Sequence, residues 1–204
     1  MYSRLIYAAI GLGLLPILAS TAFAQDPEHF RGTIQSTVGH TLIVNARNGA
    51  SLSFAIPKEA FIFTSAVTTM SAVQSGKFIG TTTVALPNGD LKALEIHVFA
   101  EVDRGMGEGH YPWTLLSTDN MMTNANIASM VTSVDGDVLT LEYEGGTQRV
   151  VMPAGIQVVN LTRVFHWGPL DIGSHVWVMA AKGDDGGYSA IALVVGLNGT
   201  TPPM

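Results

Sequence analysis

The amino-acid sequence predicts an all-β protein: two tandem small β-barrels, OB-like or SH3-like, related by an internal repeat and preceded by a signal peptide. Three observations predict this. The first is self-similarity. "RGTIQSTVGHTLIVNARNGASLSFAIPKEAFIFT" aligns with "NIASMVTSVDGDVLTLEYEGGTQRVVMPAGIQVVN", which sets Val38 on Val134, Pro57 on Pro153 and Ile62 on Val158 at an offset of 96. Gly76 and Gly173, Ala93 and Ala190, and Ile96 and Leu193 follow at an offset of 97, a one-residue insertion. A fixed repeat of this length marks two copies of one structural unit. The second observation is the period. "HTLIVNA", "ASLSFAI" and "DVLTLEY" alternate or run with β-branched and aromatic residues, as strands do. The third is the punctuation: Asn48-Gly49, Asn88-Gly89, Asp135-Gly136 and Gly145-Gly146 tolerate the positive φ of tight hairpins.

Residues 1–24 read as the signal peptide. Arg4 precedes an apolar run from Leu5 to Ala19, and Ala22-Phe23-Ala24 forms an A-x-A cleavage site. The run is shorter than the roughly 20 residues that span a bilayer. The expected product starts at Gln25 and is periplasmic or secreted. The chain has no cysteine, so lipid anchoring through a thiol, disulfide staples and thiolate metal sites are all excluded.

Residues 25–99 form the first barrel unit: three strands, a short fourth ending the apolar run, a single-turn element, then two long strands. The turn falls in "TTMSAVQSGKF", with Ser71 as its cap and Gly76 as its stop. Residues 100–125 are a glycine- and aromatic-rich connector. Residues 126–197 are the second unit, in which "HWGPLDIGSHV" takes the place of the turn. Residues 198–204, "NGTTPPM", are expected to be a loose tail. Closing each sheet into a barrel removes its edges and buries one face of every strand.

Charge narrows the functional classes. The chain has 10 basic and 16 acidic residues, a formal net charge of −6, and loss of Arg4 would make the exported form more acidic. Nucleic-acid affinity is built largely from Lys and Arg contacts to phosphates, so nucleic acid is not an expected partner. No basic run offers a membrane-surface patch. No second apolar stretch is long enough for a span, so the mature chain is no channel or permease.

These units resemble a domain of unknown function that recurs, often in tandem, in exported bacterial proteins. The marks are "STVGHTLIV" with "TSVDGDVLTL", the strands ending in Pro57 and Pro153, and Gly76 and Gly173 before a long strand. The resemblance covers nearly all of the mature chain and is most specific at "RGMGEGHYPW" followed by "MTNA", Met122 to Ala125. It implies no reaction. Some such proteins carry a metal-transporter-permease label, which this chain's lack of spanning segments contradicts. The residue after the tryptophan is commonly aspartate in that group; here it is Thr114.

"RGMGEGHYPW", Arg104 to Trp113, is the densest concentration of chemically able side chains. Its G-x-G-x-G is not a dinucleotide fingerprint, and no Gly-Lys-Ser/Thr follows for a phosphate loop. A structural reading pairs Arg104 with Glu108 in a bidentate contact and docks Tyr111, Pro112 and Trp113 as an apolar plug between the barrels. A metal reading groups His110, Glu108, Asp103 and His97, although zinc sites usually need more His or Cys and calcium sites more oxygens. A second concentration is "VFHWGPL", where Phe165, His166 and Trp167 form either an aromatic platform or a barrel plug. His175 and Trp177 alternate on a strand and face one side; His29 and His40 are isolated and expected in solvent. No nucleophile elbow, no H-E-x-x-H and no cysteine nucleophile is present, so no catalytic residue is assigned. The expected function is a non-enzymatic binding or scaffold module of the cell envelope, without a cofactor. Its partner would be an envelope protein or a small ligand, met at Arg104, Glu108, His110, Tyr111, Trp113, Phe165, His166 and Trp167. The alternatives are a metal-binding accessory protein and a hydrolase acting on an envelope polymer.

Overall fold

Strand formation follows the alternation in the sequence, and the hairpins follow its Asn-Gly pairs. In the computed structural model, which describes residues 26–115, 119–133, 136–165 and 170–204, β1 (Glu28–Val38), β2 (Thr41–Ala46) and β3 (Ser51–Ala55) form an antiparallel meander. Leu42 and Val44 point inward while their neighbours do not. The β2–β3 turn places Gly49 at φ +84°, and the Asn48 side chain accepts the Ala50 N–H at 3.0 Å. β4 (Phe61–Val67) is followed by a 3₁₀ turn at Met70–Ala72, the single-turn element expected there. Ser71 lies inside that turn rather than capping it; its hydroxyl bonds that of Thr69 at 2.6 Å.

The chain continues through β5 (Phe78–Ala85), β6 (Leu91–Ala93), β7 (Ile96–Phe99) and a 3₁₀ turn at Glu101–Asp103. Then come β8 (Gly109–Trp113), β9 (Asn120–Ser133), β10 (Gly136–Tyr143), β11 (Gly146–Met152), β12 (Val158–Val164), β13 (His175–Lys182) and β14 (Tyr188–Gly196). The all-β expectation holds, with strands closed into barrels. β13-β1-β2-β3-β14 is one ring, closed by the β13–β14 pairing; β5-β6-β11-β10-β9 is another, closed by β5–β9. Closure leaves these strands without free edges. β8 ends the strand order on β9 and carries Pro112, which an edge strand tolerates because no neighbour needs its N–H.

Each ring encloses its own core, and each core draws on both halves of the chain. Ile34, Leu42 and Phe54 pack with Val178 and Leu193 in the first; Ile79 and Ile96 pack with Ile127, Leu139 and Val150 in the second. The rings are joined through β14-β4-β12-β7-β5, where Ser65 of β4 lies opposite Leu161 of β12. A third apolar layer fills the space between them: Phe63, Phe78, Phe99, Met122, Leu161, Trp177 and Val194. These side chains leave the outer faces of strands whose alternate residues fill the ring cores. Such strands are buried on both sides.

The tail is not loose. Pro202, Pro203 and Met204 are buried, Met204 joins the third layer, and its main-chain oxygen accepts the Arg31 Nε–H at 2.6 Å. Two successive prolines leave little backbone entropy to lose on packing, and the methionine has an apolar gap to fill. Residues 1–24, proposed as a signal peptide, lie outside the described residues, as do Val134, His166 and Trp167. Among the described residues no helix is long and apolar enough to cross a membrane.

Candidate functional site

The third layer contains one apolar cavity with a polar end, and the register of three strands builds that end. On β7, Ile96 and Val98 enter the second ring's core, so His97 and Phe99 face the other way, into the layer between the rings. Gly80 of β5 lies opposite His97 on one side and opposite Asn124 of β9 on the other. Directly opposed residues share a face, so both side chains reach over the glycine. A Cβ on Gly80 would stand 1.9 Å from His97 Nε2 and 2.3 Å from Asn124 Oδ1. Only glycine lets them close in this way.

Both groups are held from behind. His97 Nδ1 lies 3.0 Å from Glu95 Oε2, and Glu95 Oε1 accepts the Thr82 N–H at 2.6 Å. Glu95 and His97 are 3% and 0% exposed, so the contact sits in a low-dielectric interior where it is strong. The Asn124 amide nitrogen donates to Met106 O at 3.3 Å, Gly107 O at 3.1 Å and Tyr111 Oη at 3.1 Å. Those three acceptors turn its oxygen toward Gly80. His97 Nε2 and Asn124 Oδ1 are left buried with no partner among the described residues. Buried polar atoms are rarely left so, and each such atom calls for an explanation.

The cavity has a volume of about 220 Å³. Its wall combines Phe63, Phe99, Tyr111, Trp113 and Trp177 with four methionines, Met106, Met122, Met179 and Met204; among the described residues no Lys, Arg, Asp or Glu lines it. The Nε1 atoms of Trp113 and Trp177 are also buried without a partner. Their rings stand 5.8 Å apart, and the His29 ring packs on both, at 4.4 Å from Trp113 and 5.4 Å from Trp177. His29, expected in solvent, is therefore part of this stack, with Nδ1 2.9 Å from Thr114 Oγ1. Burial lowers its pKa, and Arg31 lowers it further. Burial raises the Tyr111 pKa, so its hydroxyl stays protonated and donates to Gly107 O at 3.2 Å.

The "RGMGEGHYPW" segment contributes differently from expectation. Arg104 pairs with Glu101, not Glu108: Nη2 donates to Glu101 Oε2 at 2.7 Å and to Gly76 O at 2.9 Å, and Nη1 bonds Asn126 Oδ1. The 3₁₀ turn explains this, because it brings residues three apart onto one side. The shared hydrogen bonds hold Glu101 below and Arg104 above their ordinary pKa ranges. Glu108 instead accepts the Glu144 N–H at 3.0 Å. His110 Nδ1 lies 2.8 Å from Thr123 Oγ1, its ring stacks on Tyr143, and burial lowers its pKa. Asp103 is buried and pairs with Arg163 at 2.8 Å. His97, Asp103, Glu108 and His110 thus each meet a different partner and do not converge. Among the described residues no three His, Asp or Glu side chains could hold a metal ion. Phe165 is 69% exposed, beside Arg163, whose guanidinium lies 4.8 Å over the Phe61 ring.

Of the residues singled out from sequence, Tyr111, Trp113 and His97 meet at the cavity. Glu95, Gly80, Asn124, His29 and Trp177 were not singled out as a site. A signal for one of them existed: β8 pairs with β9 so that His110 faces Thr123 and Tyr111 faces Met122, which sets "RGMGEGHYPW" beside "MTNA". No protein-family model, no curated protein and no solved structure matches the chain.

Proposed function

We propose that this protein is a non-enzymatic binding protein of the cell envelope, and that the cavity between its barrels receives a small uncharged ligand. The cavity carries the reading. An engineered apolar cavity of about 150 Å³ suffices for benzene; here about 220 Å³ is walled by aromatic rings and methionines. Methionines adapt their shape and make favourable contacts with aromatic rings. A few polar groups in an apolar wall are how small-molecule sites fix orientation. Among the described residues no Lys, Arg, Asp or Glu side chain lines the wall, which favours a neutral ligand, since an ion there would lose its hydration without a side-chain counter-charge. The hydrolase reading lacks support here, because a pair of carboxylates facing a cleft is what it requires. The metal reading lacks it for want of convergent ligands among the described residues.

Export rests on residues 1–24, and kinship with the tandem-domain group of exported bacterial proteins rests on the sequence resemblance. Matching strand order in the two rings supports the repeat that both readings use. The test of binding is calorimetric titration of the exported protein with toluene, indole and benzofuran, with thermal melting alongside. Saturable one-to-one uptake is expected, abolished by Met122→Trp, which fills the cavity from a position 1% exposed. No heat and no rise in Tm for any of the three would refute the reading. N-terminal sequencing of the exported protein tests the signal peptide, with Gln25 expected first.

A further inference from the structure

We propose that Glu95 fixes His97 in the tautomer that makes the cavity's polar end a pair of acceptors, so that the ligand is a neutral aromatic molecule carrying an N–H or O–H donor. This inference rests on the cavity being a binding site and adds the class of molecule it selects.

The backbone N–H of Thr82 donates to Glu95 Oε1 at 2.6 Å, which orients the carboxylate. The other oxygen, Oε2, is then set 3.0 Å from His97 Nδ1. A carboxylate that is ionised can only accept, which puts a proton on Nδ1; with a neutral imidazole, the form the proposal assigns, Nε2 then presents a lone pair. Beside Nε2, over the same glycine, lies Asn124 Oδ1. The amide orientation is not free to reverse, because Nδ2 is committed to Met106 O, Gly107 O and Tyr111 Oη. Two acceptors therefore stand side by side on residues that line the cavity, and among the described residues neither has a donor. Neither can satisfy the other. A ligand that brings an N–H or O–H to this point satisfies the acceptors the fold leaves open, while its ring occupies the space among Trp113, Trp177 and the methionines. A ring of the same shape without the donor fills that space but leaves both acceptors unpaired. Desolvating unpaired acceptors is what gives such sites their discrimination.

The same geometry supplies a switch that can be built. In Glu95→Gln, the side-chain carbonyl remains the acceptor for Thr82 N–H, and the amide nitrogen falls where Oε2 was. That nitrogen donates to His97 Nδ1, which moves the imidazole proton to Nε2 and turns one acceptor into a donor.

The experiment has two arms. In the first, ¹⁵N NMR of the ligand-free protein reads the His97 tautomer. Protonation at Nδ1 alone is expected; protonation at Nε2, or at both nitrogens, overturns the proposal. In the second, indole and benzofuran, two rings of the same outline of which only indole carries an N–H donor, are titrated by calorimetry into the parent and Glu95→Gln. The parent should bind indole at least about tenfold more tightly, the worth of one net hydrogen bond with its desolvation. Glu95→Gln should lose or reverse that preference. Equal affinity of the parent for both overturns the donor selection but leaves the cavity reading standing. Binding of neither overturns the donor selection, and the cavity reading with it when toluene does not bind either. If Glu95→Gln does not fold, the two comparisons on the parent decide the matter by themselves.

Discussion

Replacing Gly80 by alanine inserts a methyl group where two functional side chains already meet. The new Cβ would lie 1.9 Å from His97 Nε2 and 2.3 Å from Asn124 Oδ1, far inside ordinary contact. Neither neighbour can yield cheaply. His97 is tied to Glu95, and moving Asn124 breaks its bonds to Met106 O, Gly107 O and Tyr111 Oη. Overpacking a core by one carbon costs about 1–3 kcal/mol, and each lost hydrogen bond adds about 1 kcal/mol. A destabilisation of about 3 kcal/mol is expected, which for a chain of this size lowers Tm by about 6–12 °C. Gly146→Ala is the comparison. Its Cβ would approach the Tyr143 hydroxyl only to 3.3 Å, on an exposed hairpin, and the cost should be within about 0.5 kcal/mol. The assay is urea and thermal unfolding of both variants beside the parent, with indole affinity measured on Gly80→Ala. A Gly80→Ala protein that melts within about 2 °C of the parent and binds indole equally would refute the claim that His97 and Asn124 close over this glycine.

Three further outcomes are expected. Arg163→Met should cost about 3–5 kcal/mol in urea unfolding, because it strands the fully buried Asp103 carboxylate. Adding Asp103→Asn should recover part of that loss, and a double variant no more stable than Arg163→Met would contradict it. His29 and His110 both have pKa values lowered by burial from 6.5. The unfolded chain therefore binds their protons first, so the stability they carry is full above about pH 6.5 and falls as the pH drops toward their folded values. The variant with both changed to Gln should show a flatter Tm profile over that window, and an unchanged slope would count against it. Trp113→Ala removes a ring in contact with His29, Tyr111 and Trp177 and should cost about 3 kcal/mol. A near-UV circular dichroism spectrum identical to the parent's would show that the stack is not formed.

How much of this was legible in the sequence depends on which face of a strand is asked about. Period-two alternation identified the ring interiors, because Leu42 and Val44, or Leu139 and Leu141, alternate with residues facing out. Asn48-Gly49 and Asn88-Gly89 identified the hairpins through a local backbone preference, which needs no tertiary information. Arg104 pairs with Glu101 rather than the expected Glu108, a choice that turns on a 3₁₀ turn too short to leave a periodic signature. The tail is packed rather than loose, and its polar and proline-rich composition says nothing about Arg31, 173 positions earlier in the chain, which meets the Met204 main-chain oxygen.

The inter-barrel layer is a different case, since its signature was present and carries meaning. β4, β13 and β14 contain unbroken apolar runs, such as Phe61-Ile62-Phe63 and Leu193-Val194-Val195, and a run without alternation marks a strand covered on both faces. In β7 the run Ile96-His97-Val98-Phe99 is interrupted once, by histidine. A polar residue in a doubly covered strand must either be satisfied within the fold or serve something outside it. Glu95, two residues earlier on the same face, satisfies one nitrogen and leaves the other. Gly80 and Asn124 cannot be inferred in this way, because nothing local couples positions 80, 97 and 124; only the order β7-β5-β9 makes them neighbours. The site is therefore a property of sheet order rather than of any motif. That is why the most chemically crowded segment, "RGMGEGHYPW", supplies its walls and clamps, while the polar end comes from a histidine inside an apolar strand.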